Sequence, residues 1–388
     1  MDYGREIAGT RPPDLFPRLK NRLMTRLQDS ILKTFRRLEK AHHGGRLFSA
    51  AARKLIGAHL YSLKLELNTR CTLKCKMCYV KHDDSAIPMG LLDKVFRDLR
   101  GCGVRIELLG GEPLLRDDIH SIVRAARETA LSPVVTLYTN AVHADPVTSR
   151  SLAEAGLHGA LVTMVSHREE VHDSFCGVEG TWRRTLEGMG HLMDAGVKVY
   201  AFTAVHRENA GDVREISRFV REELGAHSVF YQYIPQLADD PLALGRREWA
   251  GIRDWIVDNT DGSHMDFVGD FYKLTGSACS GGNFVLTVRS DGSVQPCPFV
   301  YDIPLGSIHT DDIWTIYRNR YRGTRLREFK RLPEECSACT YRSVCTGGCR
   351  ASCGMLSGTY LSRDQRCQGP YSEPFDGNSV LKKVPTFF

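Results

Sequence analysis

The sequence lacks any uninterrupted apolar stretch of about 18 residues, the length a membrane-spanning helix requires. It also opens without the basic, apolar and small-residue succession of a secretory leader. Both absences lead us to expect a cytoplasmic protein. Internal repeats and low-complexity tracts are missing too. Neither sign of charge dominates, because 52 Lys and Arg against 46 Asp and Glu leave only +6. So small a surplus argues against nucleic acid as a partner.

Cysteine, by contrast, is plentiful, with 13 in 388 residues. A secreted disulfide framework would use that many, but a chain this long needs no staples. Their positions decide. Cys71-Thr-Leu-Lys-Cys75-Lys-Met-Cys78-Tyr79 places thiols at C-x3-C-x2-C spacing. Three thiolates can hold three irons of a 4Fe–4S cube and leave the fourth without a protein ligand, whereas electron-transfer clusters take four cysteines. An open iron is a place for a small molecule to bind. A zinc knuckle is the alternative, but structural zinc wants four ligands and we expect no fourth His or Cys within reach of this loop.

A strand-like run, Val104–Leu109, is followed directly by Gly110-Gly111-Glu112-Pro113. Glycines there permit a tight turn and close backbone approach to a ligand, and Glu112 offers an acceptor for a charged amine. Taken alone, GGEP is a turn. Taken with the cysteine triplet, it resembles the radical S-adenosylmethionine (SAM) enzymes. The resemblance implies that SAM chelates the open iron and is cleaved by one electron to methionine and a 5′-deoxyadenosyl radical. It also implies that Tyr79 lies beside the adenine. Weaker matches, Thr139-Asn140, Ser166, and Thr203 with Asn209, fall where the family has SAM-side residues. Ser166 with His172-Asp173 matches a family pattern only partly, because its Asp-Gly is absent. Strand-end capping is the competing reading for all of them.

Between Tyr61 and about Asn259, strand-like and helix-like segments alternate as in a parallel α/β fold. Strands are expected at Ser62–Leu67, Val104–Leu109, Val134–Tyr138, Ala160–Val165, Val197–Thr203 and Ser228–Tyr233. Amphipathic helices are expected at Leu91–Arg100, Ile119–Glu128, Thr181–Ala195 and Val213–Leu224. The set resembles the family's partial (β/α)6 TIM-like barrel, here assigned to 61–260. In such barrels the chemistry lies at the C-terminal strand ends.

Further on come Cys279, Gly292-Ser-Val-Gln-Pro-Cys297, then Cys336-x2-Cys339-x5-Cys345-x3-Cys349 and Cys367. This resembles the SPASM extension, assigned to 261–373. The resemblance implies two auxiliary iron–sulfur clusters, giving three in all with the SAM cluster. Cys336, Cys339, Cys345 and Cys367 would hold the outer one, and Cys279, Cys297 and Cys349 the inner one. Seven cysteines for two cubes leave one iron over. Either it stays open, or Cys353 or Asp364 closes it. Cys102 and Cys176 fit neither pattern and read as buried, inert thiols. Pro298 stands where sulfatase-maturing relatives carry an Asp that serves as a base, which disfavours that activity.

The remaining segments are 1–60, rich in Lys and Arg, and an irregular tail, 374–388. Leu19, Leu23, Leu27, Ile31, Leu32 and Phe35 recur at helical spacing in the first. A helix packed on the barrel is preferred there over a membrane-surface helix or a docking face for an acidic peptide. The expected substrate is a ribosomally made peptide, to be crosslinked or given a thioether. The alternative is a small metabolite, either an aminocyclitol, a sugar or a tetrapyrrole side chain. A non-catalytic iron–sulfur scaffold is a remote third. Flavodoxin or ferredoxin is the expected electron donor.

Overall fold

A computed structural model of the chain describes residues 18–24, 26, 59–234, 239–259 and 279–375. Six parallel strands lie side by side in chain order: β1 (Ser62–Glu66), β2 (Arg105–Leu109), β3 (Val135–Thr139), β4 (Gly159–Thr163), β5 (Lys198–Val205) and β6 (His227–Gln232). Helices carry the chain back between them: α1 (Met89–Leu99), α2 (Ile119–Glu128), α3 (Pro146–Glu154), α4 (Glu169–Cys176), α5 (Thr181–Asp194) and α6 (Val213–Arg218). The result is an α/β sheet of parallel strands joined by helices, as the expected partial barrel requires. Apolar residues at three- and four-residue spacing explain the helices. In α1, Leu92, Val95, Phe96 and Leu99 are all buried, as one face against a sheet requires.

Two helices, α3 and α4, carry too little periodicity to be read from sequence. Val147 in α3 is exposed. That helix is instead started by Asp145, whose carboxylate accepts from the amides of Val147 (2.8 Å) and Thr148 (2.9 Å), with Pro146 at its first turn. Both are standard N-terminal signals.

The sheet does not end at β1. β7 (Val285–Val288) pairs parallel to it, with Ser62 opposite Val285, and β8 (Ser293–Gln295) and β9 (Gly306–Ser307) follow antiparallel. The cysteine-rich segment therefore shares its first strand with the barrel sheet. After α7 (Arg246–Asn259), the later helices among the described residues include α8 (Ile313–Asn319), the one-turn α9 (Arg342–Cys345) and α10 (Arg350–Ser357).

Of segment 1–60, residues 18–24, 26, 59 and 60 are described, and 18–24 and 26 are helical. Asn21 and Met24 are the buried residues of this helix, and Asn21 Nδ2 donates to the carbonyls of Leu60 (3.1 Å) and Cys102 (3.0 Å). Leu19 and Leu23, expected on the packed stripe, are exposed. Leu27, Ile31, Leu32 and Phe35 lie outside the described residues, as does the tail beyond residue 375.

Candidate active site

The loop after β1 is laced to the end of α4. The amides of Lys74 and Lys76 donate to the carbonyls of Cys176 and Phe175, each at 3.0 Å. Gly177, with φ +72°, ends α4 where a Cβ would stand 2.9 Å from the Lys74 carbonyl oxygen. Only glycine accommodates both the left-handed backbone and that approach. So held, Cys71, Cys75 and Cys78 line one wall of a cavity of about 280 Å3, and Cys279, Cys297 and Cys349 line another part of the same cavity. The two inner thiol groups named from sequence are thus brought together around one space.

Burial holds these thiols protonated. It pushes Cys71 up to about 11 and Cys297 up to about 12, with Cys279 and Cys349 adding to the latter. Cys75 is raised by a hydrogen bond with the Cys176 thiol and then by burial. Cys176 is therefore not a bystander, as expected from sequence, but packs behind a triad member. Thiolates form at such sites when a metal supplies the positive charge. A sulfur-only donor set around one cavity suits an iron–sulfur cluster. Among the described residues no three His, Cys, Asp or Glu converge tightly enough to hold a single metal ion. One expectation needs correcting: a fourth potential ligand does lie near this loop. His82 Nε2 is 3.4 Å from Cys78 Sγ, and its Nδ1 is 2.7 Å from the Thr69 carbonyl. The chain folds back between these residues, which a search of immediate neighbours misses.

Gly110 and Gly111 also line the cavity. A Cβ on Gly110 would meet the Asn68 carbonyl at 2.5 Å, and one on Gly111 the Arg70 carbonyl at 2.4 Å. Glycine is needed here because two backbones touch. Glu112 is placed differently from its expected role. It is fully buried and absent from the cavity wall. Its carboxylate accepts from the amides of Leu114 (2.9 Å) and Asn140 (2.8 Å) and from Thr139 Oγ1 (2.7 Å). Glu112 therefore braces β3, and with Pro113 it lies behind the wall that Thr139 and Asn140 help to form. Asn140 Nδ2 comes within 3.8 Å of Cys71 Sγ.

Of the weaker matches, Thr139 and Asn140 line the cavity, whereas Ser166, Thr203 and Asn209 do not. Ser166 Oγ accepts from the Arg168 amide (3.0 Å), Thr203 Oγ1 donates to the Met164 carbonyl (2.6 Å), and Asn209 Nδ2 donates to the carbonyls of Val165 (2.7 Å) and Ala204 (2.9 Å). Asp173 caps the start of α5 through the amides of Gly180 and Trp182. These are the capping roles that Ser, Thr, Asn and Asp take at strand and helix ends.

Sequence reading missed the barrel's inner wall. Tyr138, Phe202 and Tyr231 line the cavity as an arc of rings, with centroids 5.7 Å apart edge-on and 4.2 Å apart stacked. Lys64 ends the arc, 4.9 Å above the Tyr138 ring. Its ammonium pairs with half-buried Glu107, which also accepts from Tyr138 Oη at 3.0 Å and from Ser62. Burial alone would raise the Glu107 carboxyl, but the Lys64 charge and these donors outweigh it and hold it below its ordinary value. The signal was there, since Lys64, Glu107 and Tyr138 alternate with apolar neighbours and so share the inward face of their strands.

Tyr79 also lines the cavity, its ring 4.5 Å from that of Phe299. Cys336, Cys339, Cys345 and Cys367 gather separately around a small cavity of about 20 Å3. Cys353 lines neither space.

Comparison with known proteins agrees with this layout. Residues 65–220 match the radical SAM superfamily, and 279–340 match the SPASM family, described as an iron-sulfur cluster-binding domain. The chain belongs to the radical SAM superfamily and carries a SPASM domain. Such an enzyme uses iron–sulfur clusters and SAM. Curated relatives include the AdoMet-dependent heme synthase of Methanosarcina barkeri, 27% identical over 335 residues, which are 78% of this chain and 94% of the relative. That of Nitratidesulfovibrio vulgaris is 23% identical over 341 residues, covering 78% and 90%. Among solved structures, anSMEcpe with bound AdoMet superposes with TM-score 0.65 at 20% identity, covering 79% of this chain and 94% of that one. Streptococcus suis SuiB bound to precursor peptide SuiA gives 0.63 at 19%, covering 82% and 79%. Those structures share the fold of this radical SAM enzyme. Among the described residues, no helix is long and apolar enough to cross a membrane.

Proposed function

We propose that this radical SAM enzyme removes a hydrogen atom from a substrate lying between two iron–sulfur centres. Cys71, Cys75 and Cys78 would hold the SAM cluster, and Cys279, Cys297 and Cys349 the inner auxiliary cluster. The observation that carries the proposal is the single cavity with both thiol groups in its wall. When bound, the SAM cluster supplies one-electron cleavage of SAM and hence a hydrogen-abstracting radical. The chain's own part is to bind and shield. Gly110 and Gly111 admit the cofactor close to the backbone, and the aromatic arc excludes water from the reacting carbon. Cys336, Cys339, Cys345 and Cys367 would hold an outer cluster, with a flavodoxin or ferredoxin as the external donor.

For the substrate, a small molecule with an apolar body and a polar edge fits best, and a tetrapyrrole side chain is the leading case. Two features support it. The wall is an aromatic arc ended by Lys64, whose ammonium has one N–H donor beyond its bonds to Glu107 and Tyr138, and the heme synthase relatives align over nearly their whole length. This reverses the order of preference drawn from sequence. A peptide is the second reading, because the same fold in SuiB accommodates a precursor peptide. The test is deuterium transfer. Reduced, cluster-loaded protein given SAM and a side-chain-deuterated tetrapyrrole should form deuterated 5′-deoxyadenosine. Deuterium-free product there, with label arriving from a peptide encoded beside the gene, would replace the first reading by the second.

A further inference from the structure

A buried ion pair joins the two ligand loops. Glu66, in the last position of β1 before the SAM-cluster loop, accepts from Arg289 Nη1 at 2.8 Å, and both side chains are over 95% buried. Its other oxygen accepts from the Ser290 amide (3.3 Å) and Oγ (3.2 Å). On its far side Arg289 Nη2 donates to the carbonyls of Pro298 (2.5 Å) and Val300 (3.4 Å), and its guanidinium stacks 3.6 Å over the Tyr301 ring. Tyr301 Oη then donates to the Tyr79 carbonyl, one residue after Cys78, at 3.0 Å. The circuit runs from the strand before one triad, through the residue following Cys297, and back to the residue following Cys78.

A buried ion pair is a poor source of stability, because desolvation offsets its attraction. Its use here is directional. Proline fixes φ at position 298, and the Arg289 bond to its carbonyl fixes the remaining torsion of the segment leaving Cys297. Only a planar fork can bond a carboxylate and two carbonyls while stacking on a ring. The guanidinium also sets a positive charge against the Cys297 loop, where it favours the more negative, reduced form of a cluster held there.

We propose that Arg289, clamped by Glu66, is the positioning residue of the inner auxiliary cluster: it fixes the Cys297 loop relative to the SAM site and raises that cluster's reduction potential. The proposal rests on Cys297 being a cluster ligand. Loss of the inner-cluster signal in C297A establishes that reading, and its persistence refutes the reading before Arg289 is considered.

The decisive variant is E66Q/R289M, which removes both charges and leaves neither buried alone. It is reconstituted anaerobically and titrated electrochemically with electron paramagnetic resonance readout. The SAM-induced shift of the SAM-cluster signal should persist. The inner-cluster potential should fall and its line shape change, and R289K, which keeps the charge but loses the fork, should restore the potential more than the line shape. An unchanged inner-cluster potential and line shape in the double variant overturns the proposal. Should the double variant not fold, E66Q alone decides: removal of the anion that offsets Arg289 should raise the inner-cluster potential and alter its line shape, and an unaltered potential and line shape refutes the proposal.

Discussion

Arg366 grips Asp364 with both ends of its fork, Nε to Oδ1 at 3.0 Å and Nη2 to Oδ2 at 2.7 Å. Asp364 is fully buried and also accepts from the Cys349 amide at 2.9 Å. Its acceptors are therefore committed to shaping the Cys349 turn, and it is a poor candidate for the missing ligand of the inner cluster. Cys353, the other candidate, is turned toward the Gly347 carbonyl, 3.9 Å from its sulfur. Both observations favour an inner cluster with an open iron. Accordingly C353A should retain wild-type inner-cluster spectra, and a small exogenous ligand such as cyanide should shift them. Collapse of the inner-cluster signal in C353A would mean that the site is closed by that thiol.

Glu112 is predicted to be a brace. In E112A the amides of Leu114 and Asn140 and the Thr139 hydroxyl lose their acceptor. Each buried donor left unpaired costs about 1–3 kcal/mol, so a drop of several kcal/mol in unfolding free energy is expected by denaturant titration. E112Q keeps the shape and one acceptor oxygen and should lose less. A wild-type stability for E112A would return Glu112 to the ligand-binding role expected from sequence.

Two buried histidines make stability pH-dependent. Burial lowers His172 and His206 to about 4. In each, Nδ1 accepts a backbone amide at 3.3 Å, from Val165 and from Glu208, and Nε2 has no partner among the described residues. Both rings are therefore neutral in the fold. With folded values below the ordinary 6.5 or so, their contribution is complete above that pH and is lost as pH falls toward 4. The loss is at most roughly 3 kcal/mol per ring. Unfolding free energy measured between pH 7 and 4.5 should decline, and H206F, which keeps the stack on Phe175, should decline less steeply. Equal slopes would contradict this account.

Much of the fold and half of the site were legible in advance. β1 and α2 were readable because parallel strands and one-sided helices leave apolar runs of distinct length and period. The grouping of the cysteines around two cavities was readable because it follows their spacing in the sequence. Function at Ser166, Thr203 and Asn209 was not, because the same residue types cap strands and turns, and capping is where they are found. For Lys64, Glu107 and Tyr138 the alternation that turns each side chain inward was legible, but their meeting was not. They lie on three strands, 43 and 31 residues apart in sequence, and only the sheet register brings them together. His82 was missed because its approach to Cys78 depends on a loop closing on Thr69.

The iron count tests the assignment of thiols to three centres. Fully loaded protein should hold about twelve irons if all three centres are cubes. Replacing Cys336 and Cys339 should remove about four while leaving SAM binding intact, because the outer thiols stand apart from the shared cavity. Zinc in place of iron in the C-terminal segment would contradict the auxiliary clusters.

The most direct test is reductive cleavage of SAM. Anaerobically reconstituted wild-type protein with dithionite and SAM should yield 5′-deoxyadenosine, and the C71A/C75A/C78A variant should yield none while keeping the irons of the other two centres. Formation of 5′-deoxyadenosine by the triple variant at the wild-type rate would contradict the assignment of the radical chemistry to this site.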